Sequence, residues 1–233
     1  MNTENQIPES MTRLDVPAAV LRLLAGEPPG RLLDAPCGRG YLSRKLADAG
    51  FSVSALDLDG EGFRAEGIDF TAGDLNEKLP YGGASFDYVL SVEGIEHLRG
   101  TAAPVAEFAR VLKPGGLLVL TTPNTNSALS RLKFLLFGSF CYFDSRAGSS
   151  GEAWMAQHLN PVWVPGLEAA LERNGLRVET LAAEKERFGL LARGAASLAG
   201  AFSGLFNKAH NPRLQSPELL FGEHLILSAR KAA

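Results

Sequence analysis

The chain has 233 residues, 45% of them hydrophobic, and its 23 basic and 26 acidic residues give a formal net charge of −3. This length and composition suit one globular domain spanning residues 1–233, and the balanced charge argues against a nucleic-acid partner. The two cysteines, Cys37 and Cys141, are too few for a disulfide framework. Because neither a signal peptide nor an apolar run of about 20 residues is visible, we expect a cytoplasmic protein.

Short apolar strands alternate with helices along the first half of the chain. A helix is predicted over residues 16–25, and strands alternate with helices from residue 32 to residue 123. This alternation predicts a parallel sheet with helices on both faces. A later helix is expected to end at residue 174, with strands after it at 176–181 and 224–230.

The strand, turn and helix predicted over residues 31–49 contain the most informative pattern. Asp34 ends the strand, and Gly38 and Gly40 lie in the turn, which lets a ligand approach the backbone N–H groups at a helix N-terminus. About 20 residues further on, Asp57 ends a second strand, where a carboxylate can bind ribose hydroxyls. An acid before the turn repels phosphate but can pair with an amine. The pattern therefore favours S-adenosylmethionine over NAD.

Acidic residues also follow the next two predicted strands. Asp74 comes after the strand that includes Phe70, and Glu93 follows the strand at 85–92. Ligands of parallel α/β sheets bind at the carboxyl ends of the strands, so these acids are expected to share one site with Asp34 and Asp57. In that site Asp74 would accept a hydrogen bond from the adenine amino group.

Several segments, in this order, resemble the class I S-adenosylmethionine-dependent methyltransferase family: LLDAPCGRG, ALDLD, AGDL, FDYVLSVEGIEHL, VLKPGGLLVLTTPN and FGEHLILSARK. The resemblance covers residues 15–230 and implies a Rossmann-like α/β fold with a seven-stranded, mostly parallel sheet whose last strand is antiparallel. It implies these contacts to the cofactor S-adenosylmethionine: Asp34, Ala35, Gly38, Gly40, Asp57, Leu58, Asp74, Leu75 and Ser91. One departure is Pro36, which stands at the family's first turn glycine and has no N–H.

A Glu-x-x-Glu-His pattern follows the fourth strand and supplies the catalytic candidates, His97 and Glu93. A histidine with a pKa near 6.5 is suited to accept a proton from an acceptor hydroxyl. The pattern is similar to that of quinone-precursor O-methyltransferases and small-RNA 2′-O-methyltransferases, in which such residues can bind a divalent metal. The resemblance then implies four candidate ligands for Mg, Mn or Zn: Glu93, Glu96, His97 and His158.

Simpler interpretations of these residues stay open. Glu96 can cap or pack against the next helix while His97 bonds to backbone, with no metal involved. Asp34 can cap the first helix of the fold instead of pairing with an amine. His224, at the start of the last strand, is expected to be a packed or edge histidine.

Two segments, 124–160 and 182–220, are long for connections in a compact domain and are predicted to be helical lids or docking surfaces. Apolar residues recur at helical spacing within 129–143 and 188–206. Such stripes predict helices that close over the site or form a homodimer seam. The alternative is peripheral contact with the inner face of a membrane, where the protein would collect a lipid-linked acceptor.

Together these patterns predict methyl transfer from S-adenosylmethionine, with O-methylation of a small molecule, glycan or lipid-linked acceptor as the first interpretation. One alternative is a non-catalytic protein that binds S-adenosylmethionine for regulation. A Rossmann oxidoreductase is a further alternative, but the glycine spacing of a dinucleotide site is missing.

Overall fold

The computed structural model describes residues 15–143, 158–186 and 216–233, together with Ser10. The described strands are β1 (Arg31–Asp34), β2 (Ser52–Asp57), β3 (Asp69–Ala72), β4 (Phe86–Val92), β5 (Leu112–Pro123), β6 (Leu176–Glu186) and β7 (Gly222–Lys231). They form one seven-stranded sheet in the order β3-β2-β1-β4-β5-β7-β6. Within this sheet β7 is antiparallel to both neighbours, and the pairs among β1 to β5 are parallel. The predicted mostly parallel sheet with an antiparallel last strand is confirmed.

Helices cover both faces of the sheet, as predicted. The described helices are α1 (Asp15–Leu24), α2 (Tyr41–Asp48), α3 (Ala102–Val111), α4 (Ala128–Phe137), α5 (Val164–Arg173) and α6 (Pro217–Phe221), with a 3-10 turn at Ile95–His97. Helices α1 and α2 pack into one hydrophobic core, and α3 and α5 into another. Leu32 and Leu33 are adjacent in β1, fully buried, and belong to opposite cores. A strand buried on both faces has the continuous apolar sequence from which it was predicted.

Two strands extend beyond their predicted bounds. Strand β6 continues to Glu186 because residues 182–186 pair with β7, so the start of the predicted insertion at 182–220 belongs to the sheet. The apolar run at 117–122 predicts a strand there, but strand β5 begins earlier, at Leu112, which pairs with Phe86 before an irregularity in the register. The insertion residues 144–157 and 187–215 lie outside the described residues, so the whole of the predicted apolar stripe at 188–206 does as well.

Helix α4 confirms a helix in the first insertion and presents apolar side chains at the surface. Leu135 is 79% exposed and Phe137 is 76% exposed, with Leu132 and Leu136 more than half exposed. Among the described residues, no helix has the length and apolar content needed to cross a bilayer. Closure over a site, dimerisation and membrane contact stay predictions for this helix.

Candidate functional site

The glycine turn between β1 and α2 is tied to the end of β2. The backbone N–H of Gly38 donates to Oδ2 of Asp57 at 2.7 Å. Gly40 has a φ of 87°, and a side chain there would clash with Phe63 and Ala65. Only glycine suits this position, because both the backbone conformation and the available space exclude a Cβ. The turn is therefore held to β2 by a hydrogen bond and requires glycine at position 40.

The carboxylate of Asp57 lies at the carboxyl end of β2 and is only partly buried. Its Oδ1 accepts the N–H of Asp59 at 3.2 Å, which leaves lone pairs on both oxygens for further donors. The next side chain, Leu58, is 46% exposed and offers an apolar surface beside the carboxylate. A fixed carboxylate beside an apolar side chain fits a nucleoside, whose ribose hydroxyls donate and whose base is flat. These features fit S-adenosylmethionine at the predicted place.

The other predicted cofactor contacts near this end of the sheet are Asp74, Leu75, Ala35 and Ser91. Oδ1 of Asp74 accepts two hydrogen bonds from Asn76, both at 2.8 Å, and Leu75 beside it is buried. Ala35 and Ser91 are fully buried, and the Ser91 hydroxyl has no hydrogen-bond partner among the described residues. Their contacts with a cofactor stay predictions.

Asp34 lies behind the glycine turn and is 1% exposed. Its Oδ2 accepts the hydroxyl hydrogen of Ser43 in α2 at 2.6 Å. Burial raises the pKa of Asp34 to about 7, with a smaller upward contribution from the Asp57 charge, while hydrogen bonds from Ser43 act in the opposite direction. The side chain thus anchors the first turn of α2 through the Ser43 hydroxyl, while the N-cap position of that helix is Gly40. Direct pairing with a ligand amine stays a prediction.

Pro36 packs against the loop that follows β4. A side chain at Gly94 would overlap the Pro36 ring, so Gly94 provides the space that the ring fills. The N–H of Cys37, the next residue, donates to the carbonyl of Leu56 at 3.0 Å. The turn therefore keeps its anchor to β2 although Pro36 has no N–H.

Three of the four predicted metal ligands come together beside this loop. One ligand atom each from Glu96, His97 and His158 lies within 4.8 Å of the others. The backbone explains how residues distant in sequence meet: the N–H groups of Leu159 and Asn160 both donate to the carbonyl of Glu96, at 2.8 and 2.9 Å. The rings of His97 and His158 then meet edge to face, with centroids 4.7 Å apart.

This cluster contains polar atoms without hydrogen-bond partners. Glu96 is fully buried, and within the described part of the chain neither of its carboxylate oxygens, nor Nδ1 of His158, has a partner. Burial, followed by the charge of Glu93, raises the pKa of Glu96. Burial, followed by the nearby His97, lowers the pKa of His158. A buried carboxylate and an imidazole nitrogen without partners, beside the ring of His97, fit a divalent cation.

Glu93 is held elsewhere, by groups on two other strands. Its Oε1 accepts the Thr121 hydroxyl at 2.8 Å, and its Oε2 lies 3.0 Å from Nδ1 of His224. Its backbone is in the left-handed region, with φ of 49°. The predicted set of four ligands is thus divided into a cluster of three and a Glu93–His224 pair.

His224 is the residue whose place in the site the sequence did not reveal. It is 7% exposed, in agreement with a packed histidine, but it packs at the edge of the sheet where Asp57 and Glu93 lie. Burial lowers the pKa of His224, but the hydrogen bond and charge of Glu93, with smaller contributions from Asp15 and Glu223, outweigh it and raise the pKa. Because β7 is antiparallel, its first residues lie beside the last residues of β5. The antiparallel direction of β7, which was predicted, could therefore have indicated that His224 lies at the site.

An apolar groove of about 420 Å³ opens next to this pair, between α4 and α6. Its wall includes Leu129, Leu132, Lys133, Tyr142, Phe221 and Glu223. The ring of Tyr142 also faces that of His224, with centroids 5.8 Å apart. Tyr142 and Glu223 therefore connect the wall of the groove to His224.

Comparisons with known proteins identify the family of the chain. A family model described as "Methyltransferase domain" matches residues 9–181. A demethylmenaquinone methyltransferase from Beutenbergia cavernae is 36% identical over 113 residues, which are 46% of each chain. A ubiquinone biosynthesis O-methyltransferase from Xanthomonas campestris is 31% identical over 161 residues, 61% of this chain and 66% of that one. The chain spans about half the length of most curated relatives it matches.

A solved structure supports the fold over nearly the whole chain. The S-adenosylmethionine-dependent methyltransferase from Archaeoglobus fulgidus superposes with a TM-score of 0.64 at 20% identity. The superposition covers 94% of this chain and 95% of that one.

The role of Asp57 can be tested by removing its charge. Asp57→Asn keeps the side-chain shape but loses the charged partner of the ribose hydroxyls, so affinity for S-adenosylhomocysteine should fall about tenfold or more. Asp59→Asn is the matched control and should keep affinity within about a factor of two. Isothermal titration calorimetry measures both. Equal affinities of the two variants would contradict the ribose assignment.

Asp34 should make the stability of the unliganded protein depend on pH. Its pKa is about 7 in the folded chain, against about 3.9 when unfolded, so stability from this group is lost as pH rises from about 4 to 7. Asp34→Asn does not titrate and should gain stability relative to wild type over that range, by up to ~1.4 kcal/mol per pH unit. Urea unfolding at several pH values, with Asp59→Asn as control, measures this difference. A difference independent of pH would refute it.

Proposed function

The chain belongs to the class I S-adenosylmethionine-dependent methyltransferases, and from this we propose that it methylates a hydroxyl oxygen of a small-molecule or lipid-linked acceptor. The observation that carries the proposal is the hydrogen-bonded pair of Glu93 and His224, at the same edge of the sheet as the cofactor turn. A histidine bound to a carboxylate is suited to proton transfer from an oxygen acceptor. A protein that only bound the cofactor for regulation would need no such pair.

The cofactor supplies an electrophilic methyl group on a sulfonium sulfur. In the proposed complex, Asp57 binds the ribose, and the N–H of Gly38 keeps that carboxylate in place. Leu58 and Asp74 hold the adenine ring and its amino group. The loop from Glu93 to His97 follows β4 and would face the acceptor oxygen, which it would hold in line with the methyl group.

The apolar groove between α4 and α6 supports an acceptor that is partly hydrophobic. Leu129, Leu132 and Phe221 offer apolar contacts along the groove, and Lys133 and Glu223 supply charge at its wall. The relatives from Beutenbergia and Xanthomonas are named demethylmenaquinone methyltransferase and ubiquinone biosynthesis O-methyltransferase. A hydroxylated ring with an apolar chain is therefore the acceptor class that we propose.

We also propose that Glu96, His97 and His158 hold a divalent cation. The closeness of their ligand atoms and the unpartnered buried carboxylate of Glu96 support this role, and Glu93 is left out of the set because Thr121 and His224 bind its carboxylate. A cation here would act as a Lewis acid toward an acceptor oxygen. In this proposal His97 is a ligand rather than a base.

Transfer of a radiolabelled methyl group from S-adenosylmethionine to a long-chain alkylcatechol tests the proposed activity. We expect label in the organic extract, with mass spectrometry placing the methyl group on oxygen. Asp57→Asn should lose this activity at subsaturating cofactor, while Asp59→Asn should retain it. Binding of S-adenosylhomocysteine without methylation of the alkylcatechol or any other hydroxylated acceptor would contradict the proposal.

The cation proposal has a test that needs no acceptor. Wild-type protein freed of metal by a chelator should bind Mn²⁺ at one site in calorimetric titration. His158→Gln should weaken this binding by more than about tenfold, since even outer-shell changes cost ten- to a hundredfold. Glu172→Gln, on an exposed part of α5, is the control and should bind as wild type does. Equal binding by all three proteins would refute the site.

A further inference from the structure

His224 is held in a single orientation by Glu93. The Nδ1 atom lies 3.0 Å from Oε2 of Glu93, and the other carboxylate oxygen is bound by the Thr121 hydroxyl. A carboxylate accepts hydrogen bonds, so the pair places the ring proton on Nδ1. The lone pair of the neutral ring then lies on Nε2. Within the described residues, Nε2 is buried and has no hydrogen-bond partner.

The fold builds this pair from distant parts of the chain. Glu93 follows β4, while His224 is paired with Pro123 at the end of β5 and with Glu184 in β6. The N–H of Glu93 donates to both the carbonyl and the hydroxyl of Thr121, at 3.2 and 3.0 Å. These bonds hold Glu93 in a left-handed backbone conformation that costs free energy for a residue with a side chain. Such strain concentrates at functional sites.

The unpartnered nitrogen belongs to a histidine that directly follows two residues of the groove wall. Gly222 and Glu223, which precede His224 in β7, line the groove, and Tyr142 contacts both the groove and the His224 ring. Tyr142 thus lies between the groove and the buried Nε2 atom, and an acceptor lying along Leu129 and Leu132 would have to pass Tyr142 to bring its polar end to that atom.

We propose that His224 is the catalytic base for the acceptor hydroxyl and that Glu93 is its positioning residue, an assignment that rests on the O-methylation proposed above. Nε2 of His224 takes the hydroxyl proton as the acceptor oxygen forms a bond to the methyl carbon. The bond between that carbon and the sulfonium sulfur breaks, and its electron pair stays on sulfur. The positive charge lost at sulfur appears on the imidazolium, next to the Glu93 carboxylate.

The charged groups around His224 favour that imidazolium. Glu93 after β4, Asp15 of α1 and Glu223 in β7 each raise the pKa of His224, against the opposing effect of burial. His158 lies on the other side, and Glu184 of β6 is paired with Arg22. Since the base must be neutral to accept a proton, turnover should rise with pH through a pKa above the usual value for histidine.

The assignment differs from the one that the sequence suggested. His97 follows Glu96 directly and shares the cluster of three with His158, so a cation would occupy its lone pair. His224 lies outside that cluster and is bound to a carboxylate instead. The two histidines therefore differ in their expected dependence on metal, and this difference can be measured.

Kinetics with the long-chain alkylcatechol separate the roles. His224→Gln should lower kcat by about 10²- to 10⁴-fold and abolish the acid limb of the pH profile, while leaving S-adenosylhomocysteine and Mn²⁺ affinities unchanged. Glu93→Gln should move the acid limb to lower pH, because the ring loses its charged partner. His158→Gln is the comparison, since it should lose Mn²⁺ binding and keep the acid limb. Full kcat in His224→Gln, or loss of cofactor affinity in that variant, would overturn the proposal.

A second measurement decides the same point without an acceptor. Nitrogen-15 NMR of histidine-labelled protein, with His224→Gln used to assign the signal, reports which ring nitrogen carries the proton. The neutral ring should be protonated on Nδ1, and Glu93→Gln should lower its pKa. A proton on Nε2 would overturn the proposal. If S-adenosylhomocysteine binds but no alkylcatechol is methylated, the acceptor class is wrong, and the NMR result still decides the role of His224.

Discussion

The antiparallel pairing of β7 with β5 is the constraint on which the site depends. In a purely parallel sheet, the first residue of a strand lies at the edge away from the ligand. Reversal of β7 brings His224 beside Pro123, at the same edge as Asp57 and Glu93. Asn124 reinforces this junction, since its side chain donates to carbonyls of Leu219 and Gly222 and its N–H donates to Glu223. The direction of β7 thus determines the position of both His224 and the wall of the groove.

Buried polar groups at this edge cost free energy that the rest of the fold must offset. Ordinary buried carboxylates are paired, and an unpaired one destabilises the protein by several kcal/mol. Asp34 and Glu93 follow that rule through Ser43, Thr121 and His224, whereas Glu96 does not within the described chain. The two hydrophobic cores on either side of the sheet supply the stabilisation. Unpaired groups that persist at such a cost are typical of functional sites.

The sequence predicted what depends on local pattern. Apolar runs predicted the buried strands. The position of Asp57 at the site was predicted because it ends a strand, and the carboxyl ends of parallel strands share one edge of the sheet. The family resemblance found His158, which meets His97 in the structure.

What the sequence missed depends on long-range pairing. Glu93 and His224 are far apart in the chain, and only the direction of β7 brings them together. The extension of β6 was missed because its last residues, Ala-Ala-Glu-Lys-Glu, form an edge strand with neither an apolar run nor alternation. Asp34 could be assigned as an anchor for Ser43 only once the turn was seen in three dimensions.

The contact between Pro36 and Gly94 links the cofactor turn to the acceptor side of the site. The two positions share a single volume, so the size of one residue limits the size of the other. A related chain with glycine at the first position would have room for a side chain at the second, directly after the residue equivalent to Glu93. The choice of turn residue on the cofactor side therefore decides how much space the acceptor loop has, and the two halves of the site cannot change their shapes independently.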